Sequence, residues 1–253
     1  MKRISICDIP VDVISMKESL DLIENSIVKR QYLHHVVINA AKIVNAQHDP
    51  ALKASIVNCD LINADGQAVV WASRILNRAL PERVAGIDLM EMLVKRASLR
   101  GFRIFLLGAR EEIVRKVARK YQVLYGSGII AGFRNGYFRS DEEESVASEI
   151  AASGADILFV AMSSPRKEIF LEKYKHIIRT PFIMGVGGSF DVVSGSIRRA
   201  PLFMQQLGLE WFFRLIQEPG RMWKRYLIGN TKFIYLVARE KVQSITNTFR
   251  PGL

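Results

Sequence analysis

Short apolar runs alternate along the chain with longer segments whose apolar positions recur at three- and four-residue spacing. The runs at 4–7, 35–39, 61–64, 103–107, 128–131, 157–161 and 182–185 read as buried strands. Between the first two, Ser15–Met16–Lys17–Glu18 is a capping box that opens a helix to about Lys29. The same spacing predicts helices over 40–48, 66–77, 87–99, 110–122, 141–152 and 165–175. Strand–helix alternation over about 190 residues predicts an α/β fold, a Rossmann-like and largely parallel sheet flanked by helices. In such sheets ligands bind beyond the carboxyl ends of the strands, so the turns after them are where chemistry is sought. Past about residue 197 the strand pattern stops. Helices are predicted over 201–207, 209–217, 219–228 and 230–245, with Pro219 in a first turn. The chain divides into an α/β catalytic domain, 1–196, and a helical C-terminal appendage, 197–253.

Composition sharpens this picture at the C-terminal end. The 253 residues are 49% hydrophobic, enough for a substantial core, and carry a net charge of +11. Within 198–250 there are ten Lys and Arg against three Glu, so seven of those excess charges sit in about a fifth of the chain. Trp211, Phe212, Phe213, Trp223 and Tyr226 are interleaved with them, which a merely solvating tail would lack. Localised positive charge points to an anionic partner: nucleic acid, phospholipid head groups or a phosphorylated substrate. Cys7 and Cys59 form no CxxC pair, as expected in a reducing compartment. The N-terminus has no signal-peptide core, and no apolar run approaches the roughly 18–20 residues of a membrane span. The expected location is the cytoplasm, at the inner face of the membrane.

Several residues sit where chemistry is expected. Asp65 follows a strand and precedes Gly66 and a helix. It reads either as that helix's N-cap or as a carboxylate aimed into the ligand crevice, able to take a proton from a hydroxyl nucleophile. Gly185–Val186–Gly187–Gly188–Ser189 is a tight turn or a cradle presenting amides to a diphosphate, without the third glycine of a dinucleotide fingerprint. Gly108 lies in another strand-to-helix turn. Arg221 and Arg225 stand four apart on one helix, where like charges repel unless an anion lies between them. Arg214, on the preceding helix, joins them if the two helices pack as a hairpin. His34 and His35 point to opposite faces of a strand and suit no shared metal; no Asp-x-Asp, GxSxG, HExxH or P-loop occurs.

Taken in order, these motifs resemble the WecG/TagA/CpsF glycosyltransferases of bacterial cell-surface polysaccharide synthesis. The resemblance rests on Asn63–Ala64–Asp65–Gly66, Arg83–Val84–Ala85–Gly86–Ile87–Asp88–Leu89, Phe105–Leu106–Leu107–Gly108, Asn135–Gly136–Tyr137–Phe138 and Ser164–Pro165–Arg166–Lys167–Glu168. It continues from Gly185–Val186–Gly187–Gly188–Ser189–Phe190–Asp191 through Arg225–Tyr226–Leu227–Ile228–Gly229–Asn230, and spans about 3–240. It implies an inverting enzyme that moves a sugar from a UDP-sugar to a polyprenyl-diphosphate-linked saccharide on the inner leaflet, with no metal and no further cofactor. Asp65 would be the general base, and Arg214, Arg221 and Arg225 would stabilise the departing UDP. Asn39, Arg83, Gly108, Lys167, Gly187 and Gly188 would bind the donor. The chain departs from the family pattern at Val37, where threonine is usual, and at Lys167, where a Pro-Lys-Gln-Glu motif has glutamine.

Three rival readings stand beside this one: a basic RNA-binding α/β module, a Rossmann oxidoreductase, and a non-catalytic nucleotide-binding scaffold at a membrane. The appendage is expected to rest on lipid head groups and to fold over the site when docked, and truncation after about Gly195 is expected to leave a folded but nearly inactive body. An apolar face on the body would favour self-association.

Overall fold

The computed structural model describes residues 1–248; the side chains at 221, 222, 224–226, 247 and 248 lie outside the described residues. A short hairpin, β1 (Arg3–Ile6) and β2 (Ile9–Asp12), precedes the main sheet. Its two-residue turn, Cys7–Asp8, has φ of 50° and 59°, the left-handed conformation that such a turn requires at both positions. Sequence periodicity assigns the first strand but not β2, because Pro10 interrupts the run.

The main sheet comprises β3 (Leu33–Ile38), β4 (Leu61–Ala64), β5 (Ile104–Gly108), β6 (Ile130–Arg134), β7 (Ile157–Ala161) and β8 (Phe182–Gly185). All six are parallel, in the order β4-β3-β8-β7-β5-β6. Parallel strands need crossovers, and the chain supplies α1 (Met16–Val28), α2 (Ala40–Ala46), α3 (Pro50–Val57), α4 (Gln67–Ile75), α5 (Gly86–Arg100), α6 (Glu111–Tyr125), α7 (Glu143–Ala152) and α8 (Arg166–Ile178). The capping box of Ser15 and Glu18 opens α1 as its spacing predicts. The expected α/β fold is therefore present, with α3 added.

Apart from the half-buried edge strand β6, the strands of the main sheet are buried on both faces. Ile104, Leu106, Ile157 and Phe159 point into one layer with α1, α5 and α6. Phe105, Leu107, Leu158 and Val160 point into the other with α7 and α8. A third cluster packs α2, α3 and α4 against the far edge of the sheet and the hairpin.

After β8 the chain forms α9 (Ser189–Val193), α10 (Leu202–Gln206), α11 (Glu210–Gln217) and α12 (Pro219–Thr248). The two helices predicted over 219–228 and 230–245 are one continuous helix of 30 residues; Gly229 weakens a helix by about 1 kcal/mol and does not end it. Phe233 and Val237 of α12 are buried in the third cluster beside residues of α2 and α4. Glu240 accepts the Cys7 amide at 2.6 Å and pairs with Arg78 at 2.5 Å. Cutting the chain after Gly195 therefore removes two buried side chains from the third cluster.

Phe233→Ala is expected to lower the unfolding free energy by about 3–5 kcal/mol in urea denaturation. A loss under about 1 kcal/mol would show that α12 is not packed on the body.

Candidate active site

A cleft of about 1850 Å³ opens at the carboxyl ends of the strands. It spans the place where the chain leaves β5 and β7 in opposite directions, the usual ligand crevice of such a sheet. From there it crosses β8 and β3 to Asp65 at the end of β4, and α11 and α12 form its far wall.

Asp65 does not cap α4. The N-cap is Gly66, with no side-chain hydrogen bond. Instead Asp65 Oδ1 accepts the amide of Gly86, the first residue of α5, at 3.1 Å. That bond aims the carboxylate across the β4 terminus and leaves the group lining the cleft. Burial pushes its carboxyl above the ordinary aspartate value of 3.8; the Gly86 amide, Arg83 and Arg214 pull it back, and Glu210 adds to the rise.

Opposite Asp65, α11 is held by a chain of ions. Arg83 Nη1 donates to Glu210 Oε2 at 2.5 Å, and Arg199 Nε stands 3.5 Å from Glu210 Oε1. Arg199 also grips Asp88 of α5 through two bonds of 2.6 and 2.8 Å. Glu210 thus ties α11 to the mouth of the cleft. Arg214, one turn further on, lines the cleft and makes no ion pair among the described residues. The side chains of Arg221 and Arg225 lie outside the described residues.

The remaining predicted positions divide. Asn39 lines the cleft and caps α2, its Oδ1 accepting the Lys42 amide at 3.0 Å. Lys167, in the first turn of α8, also lines it. Gly187 and Gly188 line it too, and their amides have no hydrogen-bond acceptor among the described residues. Gly187 has φ of +52°, which favours glycine. Gly108 is not in the lining. It has φ of +124°, and a Cβ there would stand 2.5 Å from the Ala161 backbone, so its smallness serves the junction of β5 and β7.

Sequence reasoning missed Glu210, Arg199 and Asp88, whose pairing joins segments more than a hundred residues apart and leaves no local signal. It also missed Lys42, although a basic residue three places after a strand-end Asn cap points into the same crevice. His35 is fully buried and its Nε2 lies 2.9 Å from Asn63 Oδ1, a core contact in agreement with its structural reading. Among the described residues no three His, Cys, Asp or Glu gather as a metal site would need, and no helix is long and apolar enough to cross a membrane.

The raised carboxyl of Asp65 has a consequence for stability. Between 3.8 and its higher folded value, the folded protein holds the proton that the unfolded chain has lost, so stability falls as pH rises through that window and stays reduced above it. Asp65→Asn keeps an acceptor for Gly86 and removes the buried charge. It is expected to unfold at higher urea than the parent at pH 7, with the difference shrinking toward pH 4. A variant less stable than the parent at pH 7 would contradict this.

The family model described as "Glycosyl transferase WecG/TagA/CpsF family" matches residues 4–247, nearly the whole chain. With the six-stranded sheet and its strand-end cleft in place, the chain belongs to the WecG/TagA/CpsF family of glycosyl transferases.

Proposed function

We propose that this glycosyltransferase moves a sugar from a UDP-sugar to a polyprenyl-diphosphate-linked saccharide, with inversion and without a metal. The observation that carries the reading is a carboxylate with raised proton affinity in the same cleft as a cation that has no ion-pair partner among the described residues, Asp65 and Arg214. Asp65 takes the proton of the acceptor hydroxyl as its oxygen bonds to the anomeric carbon. The bond from that carbon to the phosphate oxygen breaks in line, its electron pair leaving with UDP, so the configuration inverts. A carboxyl with a raised pKa is better matched to this proton transfer than an ordinary aspartate.

The departing diphosphate gains charge in the transition state and needs fixed donors. Arg214 and the free amides of Gly187 and Gly188, all lining the cleft, supply them. Arg221 and Arg225 are proposed to join from α12 on the resemblance alone. Arg83 contributes by holding Glu210, and so α11, in place.

The appendage suits a membrane surface. Leu202, Phe203, Leu207 and Ile216 are more than half exposed, and Phe212 and Trp223 are exposed as well. Apolar side chains beside a local excess of positive charge match an interfacial helix on anionic lipid. The RNA-binding reading has less support, because the strands are covered on both faces and offer no open sheet for base stacking.

The test uses a panel of UDP-sugars with a short prenyl-diphosphate saccharide, following UDP release. Asp65→Asn is expected to lose turnover by about 10²–10⁴-fold while keeping UDP affinity. Arg214→Ala is expected to lower kcat by about 10²–10³-fold. Transfer is expected to survive EDTA. Full turnover by Asp65→Asn, or loss of transfer in EDTA, would overturn the reading.

A further inference from the structure

A second cavity, of about 520 Å³, opens at the amino ends of the strands, the opposite end of the sheet from the active-site cleft. Its volume falls in the range of about 300–1,000 Å³ typical of small-molecule sites. It shares no lining residue with the cleft. Arg30, from the loop before β3, and His176 and Arg179, from the end of α8, line it. The Leu33 amide donates to the Pro181 carbonyl at 2.8 Å, so the loops that enter β3 and β8 adjoin and bring the two arginines to one place. Ile150, Ala155 and Ile178 supply a buried apolar floor, while Arg30, His176 and Arg179 are exposed at the rim.

The backbone does not ask for arginine at either position. Arg30 has φ of 54° and Arg179 has φ of 47°, the left-handed conformation just past a helix end that glycine adopts at least cost. A cation near a helix C-terminus is favourable, and Arg179 Nε donates to the His176 carbonyl at 2.9 Å. That bond uses one of the five N–H groups of the guanidinium, and Arg179 makes no ion pair among the described residues. Arg30 turns away from its own helix and gives Asp156 Oδ1 a single bond of 3.1 Å. Asp156 spends its other oxygen on the Arg103 amide and does not line the cavity. The His176 ring makes no hydrogen bond among the described residues. The rim therefore holds two fixed positive charges against one neighbouring carboxylate, with most of their donors unused.

We propose that this cavity is a second ligand site, which takes a small organic phosphate. The phosphate is held at the rim by Arg30 and Arg179, whose planar forks suit its oxygens, and the His176 ring adds a further donor. The organic part rests on Ile150, Ala155 and Ile178. The site lies at the other end of the sheet from Asp65 and stands independently of the sugar-transfer reading.

Isothermal titration of the full chain with phenyl phosphate, inorganic phosphate and phenol, each with and without excess UDP, provides the test. Phenyl phosphate is expected to bind more tightly than either of the other two, and UDP is expected not to displace it. Arg30→Gly and Arg179→Gly suit the left-handed backbone, so they are expected to match the parent in urea unfolding while each weakens phenyl phosphate binding by about tenfold or more. Asp156→Asn releases Arg30 from its carboxylate and is expected to keep or increase the affinity, which preserves the test should a glycine variant fold poorly. A parent that binds no phenyl phosphate overturns the proposal, as do glycine variants that bind it like the parent. Displacement by UDP overturns it too, because the probe would then occupy the strand-end cleft. Equal affinity for phenyl and inorganic phosphate removes the role of the apolar floor, and weaker binding by a folded Asp156→Asn protein removes that of Arg30; either result overturns the site as proposed.

Discussion

Glu210 is the hinge on which the site turns. Its carboxylate is shared between Arg83, from the loop before α5, and Arg199, from the segment after α9, and Arg199 is anchored in turn to Asp88. An ion network that is partly shielded from water holds its partners far more firmly than an exposed pair, and loss of one member leaves the others unpaired. Through this network α11 is fixed across the cleft from Asp65, and Arg214 is delivered one turn beyond the anchor. The same charges tune the carboxylate they face, since Glu210 raises its proton affinity and Arg83 and Arg214 lower it. The network thus places Arg214 and adjusts the basicity of the proposed base, while burial raises that basicity most and the Gly86 amide orients the carboxylate.

The C-terminal helices are pinned at two separate points. Glu210 fastens α11 to the mouth of the cleft, and Glu240, with Phe233 and Val237, fastens the later turns of α12 to the hairpin and the third core cluster. Between these anchors lie exposed apolar side chains, among them Ile216, Leu227 and Ile228. Phe233 and Val237 face the body while Ile216 and Leu227 stay exposed, so these helices carry more apolar surface than the core takes up. Docking on lipid would cover the outward face without disturbing either anchor, which is how the proposed membrane association fits the fold.

Much of the fold is legible in the chain because parallel strands buried on both faces read as apolar runs, and most helices between them read as amphipathic segments. The strand-end location of Asp65 is legible for the same reason. Its partner is not: the sequence places Gly66 and a helix directly after it, yet the carboxylate turns to the start of α5, 21 residues on. Helix α3 carries a visible start in Asp49 and Pro50, but only Leu52 and Ile56 of its eight residues are buried, so its periodicity is faint. The continuity of α12 through Gly229 is settled by packing at Phe233 and Val237 rather than by local propensity. The Arg30–Arg179 cavity and the Glu210 network join residues from distant segments, and only the folded sheet brings them together.

The claim on which the account rests is that Asp65 accepts the acceptor's proton in a setting that raises its pKa. The pH dependence of kcat/KM for sugar transfer measures this most directly. The account predicts an ascending limb with a midpoint above 3.8, moved downward by Glu210→Gln, which removes a charge that raises it. A rate independent of pH across that range, or a limb that persists unchanged when Asp65 is replaced by asparagine, would contradict it.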